Sequence, residues 1–250
     1  MENTKSYADY IADLNRMYQE HYRDGKCPYY NMCFASAVGP SKFEFDYAAK
    51  VGANYGEPGF PKILIVGQEG KSGHTETEKT SESIEQNNEH YRKTLYTLAL
   101  LLGETKPASF SVNDLKSSEE LLKRFSLTNY YKCALQGSDS QACRNLPHTK
   151  EMKENCHHIL EKEIEILEPD GVIIQGKFTP EAFWNAFGKG ERIAGNRTEA
   201  DDTLSLYRYY PRGKKPFYII YSYHPCYFQA WSGVLLEEFE QIIKEFLRNL

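Results

Sequence analysis

Nowhere in this chain of 250 residues do 18 apolar residues run together, and its start has no apolar stretch of the signal-peptide kind. Neither a membrane-spanning helix nor a secretory leader is expected. The chain is expected to be soluble, cytoplasmic and monomeric. It also lacks an excess of positive charge: 30 Lys and Arg stand against 35 Asp and Glu, a net charge of −5. Non-specific attachment to phosphate usually needs a basic face, so it is disfavoured, although a local basic patch fits within an acidic total. Internal repeats, low-complexity tracts and interdomain linkers are missing too. One domain over residues 1–250 is therefore expected, long enough to bury a sizeable core.

Cysteine and tyrosine are what the chain does hold. Six cysteines in a cytoplasmic setting point to metal binding or core thiols rather than disulfides. The 19 tyrosines are expected mainly as half-buried packing on a sheet, with base-stacking surfaces the lesser reading.

Four segments set the architecture: Lys62–Gly70 (KILIVGQEG), Leu127–Cys133 (LTNYYKC), Glu168–Gly176 (EPDGVIIQG) and Phe217–Pro225 (FYIIYSYHP). Each is a short β-type apolar run that ends in a polar or glycine cluster. Helical periodicity lies between and around them. It appears at Tyr7, Ile11, Leu14 and Tyr18, and at Tyr91, Leu95, Leu98, Ala99 and Leu102. It recurs at Cys156, Ile159, Leu160, Ile164 and Leu167, and at Leu235, Phe239, Ile242, Ile243, Phe246 and Leu250. Gly25 is expected to end the first helix. Asn113 or Asp114 is expected to cap a surface helix running to Arg124, and Thr179–Pro180 to start another. Strands alternating with helices predict βαβ units: a three-layer α/β/α domain on a four-stranded parallel sheet. The stretch from Cys27 to Phe60 reads as irregular, the loop Lys71–Asn88 as exposed, and Lys189–Lys215 as a polar insertion with a hairpin at Leu204–Tyr209.

In open parallel sheets, ligands bind beyond the carboxyl ends of the strands. Those ends carry Gln68, Glu69, Asn129 and His224, a set able to grip a polar heterocycle and do acid/base work.

This order of motifs resembles the uracil-DNA glycosylase superfamily, most of all its iron–sulfur branch in bacteria and archaea, over roughly Cys27 to Tyr227. LTNYYKC, followed by Cys156 and then LEPDGVIIQG at Leu167–Gly176, is the most specific part. YHP at Tyr223–Pro225 is similar to the second active-site motif of the superfamily. GQEG at Gly67–Gly70 is similar to the first in part: Gly70 and Lys71 stand where the motif continues with a proline, and no phenylalanine lies between Phe60 and Phe110. The first cysteine pair is C-x5-C, wider than is usual for the branch.

The resemblance implies excision of uracil or a related damaged base from DNA, with the base flipped or single-stranded. Glu69 would support the sugar cation or its attacking water, and His224 the leaving base. Asn129 would read the O4/N3 edge of uracil. Gln68 would sit beside Glu69, and Tyr91 or His90 would replace the missing stacking ring. Arg192, Arg197, Arg208 and Arg212 could touch phosphates. Cys27, Cys33, Cys133 and Cys156 would bind a [4Fe–4S] cluster, with zinc as the alternative. Cys143 could stand in for Cys156, and Cys226 looks like packing.

Each residue also has a plainer reading. Glu69 fits a solvated loop carboxylate, Asn129 a turn cap, His224 a core histidine, Tyr91 helix packing and the cysteines buried thiols. Two rival functions follow. One is a non-catalytic member of the same fold that binds a nucleobase, nucleotide or partner. The other is a different hydrolase or transferase with a zinc site.

Overall fold

The computed structural model describes residues 5–22, 28–29, 32, 49–67, 89–103, 120–130, 132, 150–176, 187–195, 204–211, 213–224 and 233–250. Helix α1 (Tyr7–His21) begins at a capping box. The Ser6 side chain accepts from the Asp9 N–H, and the Asp9 carboxylate accepts from the Ser6 N–H at 2.8 Å. Such a cap contributes about 1 kcal/mol. The helix buries Tyr10, Leu14 and Tyr18. Tyr7 remains 44 % exposed, because it precedes the turn that reaches the core. The helix ends at Tyr22, before Gly25.

The other elements are β1 (Lys50–Val51), β2 (Ile63–Gly67), α2 (Glu89–Leu101), β3 (Ser126–Asn129), α3 (Lys150–Leu167), β4 (Gly171–Gln175), β5 (Glu191–Gly195), β6 (Ser205–Tyr209), β7 (Phe217–Ser222) and α4 (Gly233–Asn249). The sheet has seven strands in the order β1-β3-β2-β4-β7-β6-β5. This corrects the expected four-stranded parallel sheet. The four parallel strands are present at its centre, where β2 pairs with β3 and β4, and β4 with β7. Antiparallel strands extend both sides: β1 on β3, and β6 and β5 beyond β7. The hairpin expected at Leu204–Tyr209 is instead a single strand, β6, paired antiparallel with β5 and β7, so the polar insertion continues the sheet instead of leaving it.

Side-chain alternation sends the strand residues to two cores. On one face Leu64, Val66, Val172, Ile174, Ile219 and Tyr221 meet α1 and α3. On the other Ile63, Ile65, Ile173 and Ile220 meet α2 and α4. The α3 stripe of Cys156, Ile159, Leu160, Ile164 and Leu167 is buried as the spacing predicts. In α4, Phe239, Ile242, Ile243 and Phe246 are buried, while Leu250 follows the helix end and is 49 % exposed. Asn113, Asp114, Thr179, Pro180 and the loop Lys71–Asn88 lie outside the described residues. No helix among the described residues is long and apolar enough to cross a membrane.

Gly171 opens β4 under the Phe246 ring. A Cβ there would lie 2.4 Å from Phe246 Cζ and 3.2 Å from Ile63 Cδ1. Gly171→Ala is therefore expected to destabilise the fold by about 1–3 kcal/mol through overpacking. The denaturant midpoint should fall with the slope unchanged.

Candidate active site

Parallel pairing brings four strand ends to one edge. Gly67 of β2 lies opposite Asn129 of β3, and Gln175 of β4 opposite Ser222 of β7. His224 follows β7 by two residues and is partly buried. Asn129, Gln175 and the Ser222–His224 segment thus share the carboxyl edge, as expected for Asn129 and His224. Gln68 and Glu69 follow Gly67 directly in the chain but lie outside the described residues, as does the side chain of Tyr91 on α2.

Gly67 is the floor under Asn129. A Cβ on Gly67 would come within 2.6 Å of the Asn129 Oδ1, so a glycine here lets the amide lie across β2. The Tyr130 N–H then donates to the Gly67 carbonyl at 2.8 Å and joins the two strand ends beyond the ladder.

The structure adds Gln175 to the edge. It is 1 % exposed, and its amide exchanges hydrogen bonds with the Thr94 hydroxyl of α2 at 3.3 Å. The sequence signal is a glutamine closing a strand that is otherwise apolar on both faces.

Behind β3 lies a buried ion pair that sequence reasoning also missed. Lys132 and Glu163 are both 0 % exposed, with ammonium and carboxylate 2.7 Å apart. The Thr128 hydroxyl donates to Glu163 Oε2 at 2.9 Å and accepts from Lys132 at 2.6 Å. Tyr18 of α1 donates to Glu163 Oε1 at 2.5 Å and accepts from the Ala49 N–H at 2.7 Å. Burial pushes the Lys132 ammonium below its usual range, while Glu163 and then Cys156 pull it back. Burial and the neighbouring Glu163 hold the Tyr18 phenol far above its ordinary value. The signal in the sequence is an acid within the apolar stripe of α3: Cys156, Leu160, Glu163 and Leu167 recur at helical spacing.

Cys156 is buried on the α3 face that meets the sheet. It lies on α3 seven residues before Glu163, the partner of Lys132. Cys27, Cys33, Cys133, Cys143 and Cys226 lie outside the described residues, and no group of three or more metal-ligating side chains occurs among the described ones.

Two of the arginines serve the fold. Arg208 donates to Tyr218 at 2.9 Å, Tyr210 at 3.2 Å and Asn249 Oδ1 at 2.8 Å. It lies opposite Tyr218, near the start of β7 and away from the carboxyl edge. Arg192 donates to the Gly195 carbonyl at 2.7 Å. Arg197 and Arg212 lie outside the described residues.

Lys132→Met strands the Glu163 carboxylate in the core. It is expected to cost about 3–5 kcal/mol, the usual penalty for breaking a buried pair from one side. Equilibrium denaturation checks it.

A parallel sheet whose carboxyl edge presents an asparagine amide over a glycine suits recognition of a flat polar base. Across residues 53–248 the chain matches the family model of the uracil DNA glycosylase superfamily. No curated protein matches the chain in sequence. The family match spans most of the chain and includes every strand of the sheet except β1, and on that basis the chain belongs to the uracil DNA glycosylase superfamily.

Proposed function

We propose that this protein hydrolyses the N-glycosidic bond of uracil, or a related damaged base, in DNA. The observation that carries the reading is Asn129, whose amide lies over Gly67 at the carboxyl edge of the parallel sheet in a chain of this superfamily. In the reaction the C1′–N bond breaks and its electron pair leaves with the base. A water oxygen bonds to C1′, and the water's proton neutralises the base.

The Asn129 amide supplies one acceptor and two donors for the O4/N3 edge of uracil. Glu69 stabilises the sugar cation or orients the water, with Gln68 beside it. His224 stabilises the anionic base. Tyr91 stacks on the flipped base. The protein acts as a cytoplasmic monomer on a flipped or single-stranded base.

Cys27, Cys33, Cys133 and Cys156 would hold a [4Fe–4S] cluster, with zinc as the alternative. The donor set fits: four cysteines suit either group, and Cys156 is buried on the α3 face that meets the sheet. When bound, the group would act as a structural clamp tying the residues after α1 to β3 and α3. Protein purified without oxygen should contain iron and acid-labile sulfide. Stoichiometric zinc would select the alternative, and absence of both overturns the metal reading. Cys133→Ser should lower stability, because metal-binding free energy is folding free energy in such sites.

The activity test is release of uracil from an oligonucleotide by anaerobically purified protein. Glu69→Gln should slow turnover by about 10²–10³-fold and spare binding. Asn129→Asp should damage selectivity for uracil, since an acceptor replaces the amide donor. A wild-type protein that binds the uracil strand and releases no base would replace this reading with a non-catalytic binder. That alternative draws support from Gly70 and Lys71, which stand where the motif proline is expected.

A further inference from the structure

Glycosylase chemistry makes no direct use of the Lys132–Glu163 pair, yet the pair lies immediately behind the residue that would read the base. Thr128 precedes Asn129, and Lys132 follows it by three residues. The Lys132 ammonium reaches back to the Thr128 hydroxyl at 2.6 Å and to the Glu163 carboxylate at 2.7 Å. The end of β3 is thus closed into a clamp around Asn129. Thr128 bonds toward α3, and strand alternation turns Asn129 to the other side, over Gly67. Tyr130 strengthens the anchor, with its hydroxyl 2.9 Å from His157 Nδ1 on α3.

Stability alone does not account for such a pair. Apolar replacements of a buried ion pair are often equally stable, because removing two charges from water offsets their attraction. What the pair supplies is direction. Both carboxylate oxygens of Glu163 accept hydrogen bonds, from Tyr18 on one and from Thr128 and Lys132 on the other. One carboxylate therefore fixes α1, α3 and the end of β3 relative to each other.

We propose that Lys132 and Glu163 are positioning residues. They hold the β3 terminus so that the Asn129 amide is pre-set for the base it reads. The inference rests on the reading of Asn129 given under Proposed function. A reading amide must be held to a fraction of an ångström, and a misplacement of about 1 Å can cost about 10²-fold.

The test is the double variant Lys132→Met with Glu163→Gln. It removes both charges and keeps the volume; the amide oxygen accepts from Tyr18, and the amide N–H donates to the Thr128 hydroxyl in place of Lys132. Thermal unfolding checks that it folds. The Asn129 side-chain amide signals in a ¹⁵N spectrum, assigned by their loss in Asn129→Asp, report the position of the amide without any substrate. Expected are shifted or exchange-broadened Asn129 signals and a fall in kcat/KM on uracil of about tenfold to a hundredfold. Discrimination against thymine should fall with it. Tyr218→Phe breaks the hydroxyl's hydrogen bond to the Asn249 carbonyl near the amino end of β7 and should leave both readouts unchanged.

A folded double variant with unchanged Asn129 signals overturns the proposal. Should the double variant not fold, Thr128→Val removes the hydroxyl link and keeps the ion pair. It should perturb the same signals, and unchanged signals there overturn the proposal equally. A wild-type protein that releases no uracil defeats the glycosylase reading alone, because the amide signals still decide whether the pair fixes Asn129.

Discussion

Asp170 ties together the amino ends of three parallel strands. Its carboxylate accepts from the Lys62 N–H at 2.8 Å, just before β2. Its own N–H donates to the Lys62 carbonyl at 2.8 Å, and its carbonyl accepts from the Tyr218 N–H of β7 at 3.0 Å. Lys215 adds an ion pair at 2.8 Å, but that ammonium is 79 % exposed and contributes little. The backbone bonds are what matter. A slip of one residue in any strand would turn all its side chains to the opposite face. With β2, β4 and β7 held at their starts, Gly67, Gln175 and Ser222 arrive together at the other end.

The two faces of the sheet are built differently. The α2/α4 side is largely aliphatic, with Phe239 and Phe246 among isoleucines and leucines. The α1/α3 side is rich in tyrosine: Tyr10, Tyr18, Tyr22, Tyr55, Tyr130, Tyr207, Tyr209 and Tyr221. Buried hydroxyls must find partners. Tyr55 donates to the Leu167 carbonyl, Tyr209 pairs with Tyr221, and Tyr18 meets Glu163. Among the described residues most tyrosines are thus core residues, more deeply buried than the half-buried packing expected. Apolar contacts tolerate small slides, whereas directional bonds do not. The stiffer, hydrogen-bonded face is the one behind Asn129.

The sequence made the centre of the fold legible and its margins not. ILIV, GVII and FYII were readable because central parallel strands are buried on both faces and become continuous apolar runs. β5 reads ERIAG and β1 is only two residues long. Edge strands are kept polar or short to discourage pairing with other chains, so they resemble loops. Tyr7 and Leu250 fit their helical stripes and still face water, because periodicity does not say where a helix runs past the core. Asn129 was legible from its place at a strand end. Lys132 and Glu163 were not, since lysine and glutamate are almost never fully buried. Only the position of Glu163 within an apolar stripe gave a sign.

The electrostatics explain why a stiff frame behind Asn129 would matter. The superfamily acts on DNA, and this chain carries a net charge of −5. Overall charge therefore does not draw it to phosphate. Arg208 and Arg192 are engaged in internal hydrogen bonds on β6 and β5. On the proposed function, most of the discrimination must come from the pocket. Flipping a base costs a few kcal/mol, whereas a neutral hydrogen bond contributes a net of only about 0.5–1.5 kcal/mol. With so narrow a margin, an amide that wandered between orientations would lose much of what each bond supplies. Fixing the amide before the base arrives moves that ordering cost into folding, where the buried network around Glu163 already meets it.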